Sequence, residues 1–184
     1  MKNLASLFLR YDGPTWLVAL VLYGSWAALL WFHQSLSWWF VSPVGAYLVA
    51  WHFSLQHEAI HSFLSAPKWL RWAVVFPPLG LWLPFPLYYA AHRKHHQNTH
   101  LTEPGVDTES VYATQAAWDA MPAWKHAVLI GNQTLLGRVT IGPILRLTRL
   151  VIRETKRVID RDYAHLPHWA LHGVLVALLF VYIS

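Results

Sequence analysis

The sequence predicts an all-α, multi-pass membrane protein: a transmembrane hairpin, cytoplasmic or interfacial helices that carry histidine motifs, and the start of a second hairpin. Hydrophobic residues make up 55% of the 184 residues and charged residues only 12%, roughly half the charged share of soluble domains. Several uncharged runs approach the length of a helix that spans a bilayer, about 20 residues. The 12 histidines include several short, closely spaced groups, which indicates a functional site at the membrane.

The first two apolar runs predict the hairpin. Residues 15–32 and 38–56 contain no Lys, Arg, Asp or Glu, and the link between them is also uncharged. All 14 Lys and Arg residues therefore lie before or after the hairpin, and basic residues favour the cytoplasmic side. We expect the N-terminus and the chain after residue 57 to face the cytoplasm. No cleaved signal peptide is expected, because residues 1–16 lack its pattern.

Residues 70–90 are apolar but are expected to lie at the membrane interface. Four prolines interrupt this run, and a proline breaks a helix because it lacks a backbone donor and clashes with the preceding turn. Basic residues flank the run at both ends, so both ends favour the same face of the membrane. We therefore expect helix before and after the prolines, and no span between them.

Two further regions complete the predicted domain. Residues 115–162 are basic and amphipathic, which predicts cytoplasmic helices that either lie on anionic membrane lipid or present a solvated charged face. Residues 168–184 form the last apolar run and predict the first helix of a second hairpin. Since a hairpin needs a return helix, the single membrane domain 1–184 is expected to be C-terminally truncated.

The composition excludes some kinds of chemistry. The chain contains no Cys, so disulfides, thiolate ligands and a Cys nucleophile are excluded, and a metal site must use His, Asp or Glu. The net charge is +5, but no soluble fold with a basic surface is predicted. Nucleic acid is therefore not an expected partner.

Two histidine groups form a candidate metal site. His57 and His61, in the segment HEAIH, lie at i and i+4 on one helix face. The segment HRKHH supplies His92, His95 and His96. Five imidazoles exceed the needs of one four-coordinate zinc, which favours two metals, and imidazole-rich sites with open positions suit iron as well as zinc.

Other polar residues are weaker candidates for the same site. An ionisable residue inside a span, such as His52, is either functional or makes a structural hydrogen bond. His100 and His172 are possible further ligands, the alternatives being a loop residue and an interfacial residue. Acidic residues can orient a ligand imidazole by hydrogen bonding, a role open to Asp107, Glu109 and Glu58. In a zinc peptidase Glu58 is instead the general base.

On the segments HEAIH and LPFPLYYAAHRKHHQNTHLTEPGVDTES, the chain resembles the membrane fatty acid desaturase and hydroxylase superfamily, especially its bacterial members. The resemblance covers nearly the whole chain. It implies two non-haem iron ions, O2 as co-substrate, and electrons from an external donor of the ferredoxin, rubredoxin or cytochrome type. The implied ligands are the five histidines of the two segments: His57, His61, His92, His95 and His96.

The implied reaction is desaturation, or alternatively hydroxylation, of a fatty acyl or similar long apolar chain. The implied location is the bacterial inner membrane, with the histidine motifs on the cytoplasmic side. The third histidine motif of the family is missing from residues 1–184, so this chain alone is expected to bind fewer than two irons and to be inactive. The alternatives are an intramembrane zinc metallopeptidase that uses HEAIH and a non-catalytic metal-binding membrane protein.

Overall fold

A computed structural model describes residues 4–61, 66–107 and 109–183. The described part of the chain is 74% helix and contains no strand, which confirms the predicted all-α class. A short 3-10 turn, His33–Ser35, joins the second and third helices. The helices are α1 Leu4–Arg10, α2 Gly13–Phe32, α3 Trp38–His61, α4 Lys68–Val75, α5 Phe85–His96, α6 Gln115–Asp119, α7 Ala123–Gly131, α8 Leu135–Ile159 and α9 Leu166–Ile183.

The chain forms two compact units. The first comprises Met1–Tyr89 and His168–Ser184, and the second comprises Ala90–Pro167. The helix α5 begins in the first unit and ends in the second.

The core of the first unit lies between α2, α3 and α4. Leu22 and Val75 are fully buried there, and Leu55 is 2% exposed. The side-chain amide of Gln56 donates to the Val75 carbonyl at 3.0 Å. The hydroxyl of Tyr23 donates to the carbonyl of Val74, also in α4. These two bonds attach the C-terminal end of α4 to the hairpin.

Among the described residues, two helical segments are long and apolar enough to cross a membrane, Gly13–Ser35 and Leu166–Ile183. The first contains the expected span 15–32. The second contains the expected span 168–184 as far as residue 183. Most of their apolar side chains face outward, as a lipid environment permits. The expected span 38–56 lies within α3, which is 24 residues long. This helix becomes polar from His52 onward, and the span 38–56 stays a prediction.

The proline-rich segment is helical only at its two ends. α4 ends at Val75 and α5 begins at Phe85, and the residues between them form bends and turns. Gly80 packs directly on the ring of Phe53, where a Cβ atom would overlap the aromatic carbons. The expected region 70–90 thus has helix before Pro77 and helix again from Phe85, with Pro86 in the first turn of α5.

The expected amphipathic region 115–162 of the second unit consists of α6, α7 and α8. Thr114 and Thr134 cap α6 and α8, because each hydroxyl accepts a backbone N–H of the first turn. The start of α8 crosses the end of α7 so closely that a Cβ atom at Gly137 would overlap the carbonyl of Gly131. Only glycine permits this contact.

Candidate metal centre

Four imidazoles converge at the ends of α3 and α5. His57 and His61 stand on the last two turns of α3, with ring centroids 4.6 Å apart. His92 and His96 stand on the last turns of α5, with ring centroids 4.7 Å apart. One ring nitrogen from each of the four lies within 4.8 Å of the others. We call these residues the four-histidine cluster.

The spacing of the cluster suits a metal ion. Nitrogen ligands stand about 2.1 Å from a bound zinc ion, so two ligands of a tetrahedral ion are about 3.4 Å apart. The observed limit of 4.8 Å is larger, and side-chain rotations would bring the four nitrogens around one ion. Neutral imidazole is also the commonest protein ligand for transition metals.

The packing of α3 places its histidines. Leu55, Gln56 and Ala59 are buried on the face toward the core, and Gln56 is the residue bonded to α4. His57 lies one position further along the helix, about 100° around its axis, and is exposed. Core packing on one face therefore points the histidine pair away from the core.

Two carboxylates hold the histidines of α5. The Nδ1 of His92 donates to Glu109 at 2.7 Å, and the Nδ1 of His95 donates to Asp107 at 2.7 Å. Asp107 also accepts the backbone N–H groups of Thr102 at 2.8 Å and Glu109 at 2.9 Å. The loop after α5 is thus folded around Asp107, and two of its acids, Asp107 and Glu109, reach back to α5.

The hydrogen bonds shift the protonation of this loop. Donation from the Glu109 N–H, and then from the His95 ring, lowers the pKa of Asp107 to about 2. The same bond to Asp107 raises the pKa of His95, against a smaller lowering by burial. Both shifts favour the charged forms of the two groups.

The structure separates His95 from the four-histidine cluster. Its Nδ1 is bonded to Asp107, and its Nε2 lies 4.0 Å from a carboxylate oxygen of Glu109. Glu58 is half-buried on α3, between His57 and His61 in the sequence. It is also not a member of the four-histidine cluster. The roles of both residues stay predictions.

Three further histidines lie in different surroundings. His100 is exposed and its ring nitrogen lies 3.2 Å from Glu103. His172 donates to the Leu81 carbonyl at 3.1 Å. His52 is completely buried, and neither ring nitrogen has a hydrogen-bond partner in the described part of the chain. The role of His52 stays a prediction.

A family model described as fatty acid desaturase matches residues 33–184. The chain belongs to the fatty acid desaturase family. No curated protein and no solved structure matches it. The match includes α3 and α5, which carry the four-histidine cluster, and confirms the predicted superfamily; the likeness to bacterial members stays a prediction.

The chain therefore belongs to a family of oxidoreductases, and its four-histidine cluster is capable of binding metal. The family implies a lipid substrate. With two apolar helices long enough to cross a bilayer, the desaturase family member is an integral membrane protein.

Sequence reasoning missed two supporting residues of the site. Gln56 fixes α4 beside the histidine-bearing end of α3, and its position inside an apolar run was the available signal, because a buried amide needs a partner. Thr102 donates its backbone N–H to Asp107, and no side-chain pattern indicates a backbone donor of this kind.

Proposed function

We propose that this family member is a membrane di-iron oxidoreductase. It uses O2 and electrons from a ferredoxin, rubredoxin or cytochrome-type protein to desaturate, or alternatively hydroxylate, a fatty acyl or similar long apolar chain. The observation that carries the proposal is the four-histidine cluster within a chain of the fatty acid desaturase family. We further propose a multi-pass arrangement in a bacterial inner membrane, with the cluster and the N-terminus on the cytoplasmic side.

The cluster residues would hold iron through their ring nitrogens, and His95 is a proposed further ligand toward the second ion. Bound iron supplies the activation of O2 that cleavage of an unactivated C–H bond requires. The carboxylate of Glu109 accepts the Nδ1–H of His92, which leaves Nε2 of that ring as the ligand atom and fixes its orientation. Asp107 fixes the ring of His95 in the same manner.

An apolar cleft in the first unit supports a long apolar substrate. It has a volume of about 590 Å³ and lies between α2, α3, α9 and the turn after α4, within the usual range of small-molecule sites. Trp26, Val49 and Trp82 are among its lining residues. Val49 precedes His57 by eight residues on α3, or about 12 Å along the helix axis.

The direct test measures metal and product together. The full-length protein, rather than residues 1–184 alone, is purified from membranes, its iron and zinc contents are determined, and it is incubated with saturated acyl substrates, O2 and a reduced electron carrier. We expect bound iron and an alkene or alcohol product that requires both O2 and the carrier, found by mass spectrometry. Bound zinc with no oxygen-dependent product from the full-length protein would overturn the proposal.

A Glu58→Gln variant separates the oxidoreductase from a zinc peptidase. A peptidase loses its general base and all its activity in this variant. An oxidoreductase whose metal is held by the four histidines keeps its metal and part of its activity. The family match favours the second outcome.

A further inference from the structure

The second unit contains a cavity that the proposed oxidation does not use. It has a volume of about 440 Å³ and lies between the segment before α6, the end of α7 and one face of α8. This is within the usual range of small-molecule sites, about 300–1,000 Å³. Three arginines line it, Arg138, Arg146 and Arg149, and we call it the arginine pocket.

The three guanidinium groups are available to a ligand. In the described part of the chain, none of them forms a salt bridge. Asp119 is the one acid between residues 111 and 152, and it accepts a hydrogen bond from Gln115 at 2.8 Å. The pocket therefore has a positive potential with no internal counter-charge, which attracts an anion.

The pocket also contains a buried acceptor without a donor. The Oδ1 of Asn132 is buried, and no hydrogen-bond partner reaches it in the part of the chain that the structure describes. Gly142 lies opposite, where a Cβ atom would approach this oxygen to 3.1 Å, so the glycine keeps the space beside the amide open. A buried unpaired oxygen is costly, and a ligand hydroxyl or N–H would satisfy it.

The geometry of α8 indicates the side from which a ligand enters. At 100° per residue, the three arginines lie within about 80° of one another around the helix. Most of the exposed apolar side chains of α8 lie on the opposite side of the helix; Leu136, Leu147 and Val151, which are 74%, 48% and 55% exposed, are centred about 150° away. Leu135 and Val139 are exceptions that lie near the arginines. If that apolar face contacts lipid, the arginines open toward water. A water-soluble ligand therefore fits this pocket better than a lipid headgroup.

We propose that the arginine pocket binds the diphosphate group of a water-soluble phosphate ester. Guanidinium groups form paired, charge-assisted hydrogen bonds with phosphate oxygens, and three of them match the charge of a diphosphate better than that of one carboxylate. Arg146 and Arg149, one helix turn apart, bind the phosphates. Asn132 accepts a hydrogen bond from the ester, and Trp118, which also lines the pocket, contacts its organic part.

The test titrates the full chain, in zwitterionic detergent at about 0.15 M salt, with inorganic pyrophosphate and with ADP by calorimetry. The variant is Arg146→Gln with Arg149→Gln. Its matched control is Arg153→Gln, because Arg153 is on the same helix but pairs with Glu154 at 3.1 Å outside the pocket. We expect saturable binding of both probes, weakened at least about tenfold in the double variant and less than about twofold in the control.

Three outcomes would overturn the proposal. The first is no saturable binding of either probe. The second is equal weakening by the control, which would show attraction to general surface charge. The third is tighter binding of dihexanoyl phosphatidylglycerol than of pyrophosphate, with the same loss in the double variant, which would assign the arginines to a lipid headgroup. None of these measurements depends on bound iron.

Discussion

The two helices that carry the four-histidine cluster position their side chains by different means. In α3, the face next to His57 is packed in the core through Leu55 and Ala59. In α5, the ring of His92 is held by Glu109, a carboxylate 17 residues further along the chain. Core packing fixes where a helix lies, whereas a hydrogen bond to the second nitrogen fixes how an imidazole ring is turned. Changes in the two regions should therefore affect stability and metal affinity differently.

Removing a ligand from either helix should have the largest effect. We expect His61→Ala and His92→Ala each to lower metal affinity by more than about 100-fold, beyond the effect of losing a hydrogen-bond partner of a ligand. Metal analysis of the purified variants measures this. The control is His126→Ala on α7, whose ring stacks on Trp118. Equal metal contents in the wild type and either cluster variant would remove that histidine from the site.

Removing the carboxylate that orients His92 should have the next largest effect. We expect Glu109→Ala to lower metal affinity by about 10-fold to 100-fold, because the ring loses the bond that fixes its tautomer and orientation. Glu103→Ala is the matched control in the same loop, since Glu103 contacts only the exposed His100 among the predicted site histidines. Similar metal affinities for the two variants would show that Glu109 does not support the site.

A packing change in α3 should act on stability instead. Leu55 is 2% exposed, so Leu55→Ala should lower the free energy of unfolding by about 2–5 kcal/mol. The control Leu20→Ala, at a side chain that is 71% exposed, should stay within about 0.5 kcal/mol. Thermal unfolding in detergent measures both. A Leu55→Ala protein with unchanged stability but no metal would contradict the contrast between packing and hydrogen bonding.

Filling the apolar cleft should have the smallest effect on the metal and a clear effect on the substrate. We expect Val49→Trp to leave metal content unchanged and to shift the preferred substrate toward shorter chains, because the indole occupies space in the cleft. Product analysis with a series of acyl chains measures this, and Val21→Trp, outside the cleft, is the control. An unchanged chain-length preference would show that the substrate does not use this cleft.

The sequence predicts the helices well where one physical rule dominates. Uninterrupted apolar runs place α2 and α9, and prolines place the break between α4 and α5. The i, i+4 spacing places His57 beside His61, because a helix brings such residues onto one face. These features depend on neighbouring residues along the chain.

The remaining features of the site depend on how distant segments meet. The bonds from His92 and His95 to two acids require the chain to reverse after α5, which it does through positive φ values of 69° at Thr102 and 81° at Gly105. The arginine pocket requires α8 to cross α7. The helical repeat turns His95 about 100° from its neighbour in the cluster, but the loop decides which carboxylate it meets.

The crossing of α7 and α8 has a consequence for anyone who redesigns this protein. Because a Cβ atom at Gly137 would overlap the backbone of Gly131, a saturation library at position 137 should return glycine as its only well-folded clone. Even alanine, the mildest replacement in most helices, would have to push the two backbones apart. In an alanine scan, a loss of function at position 137 would therefore reflect a change in the spacing of α7 and α8 and not the loss of a functional side chain.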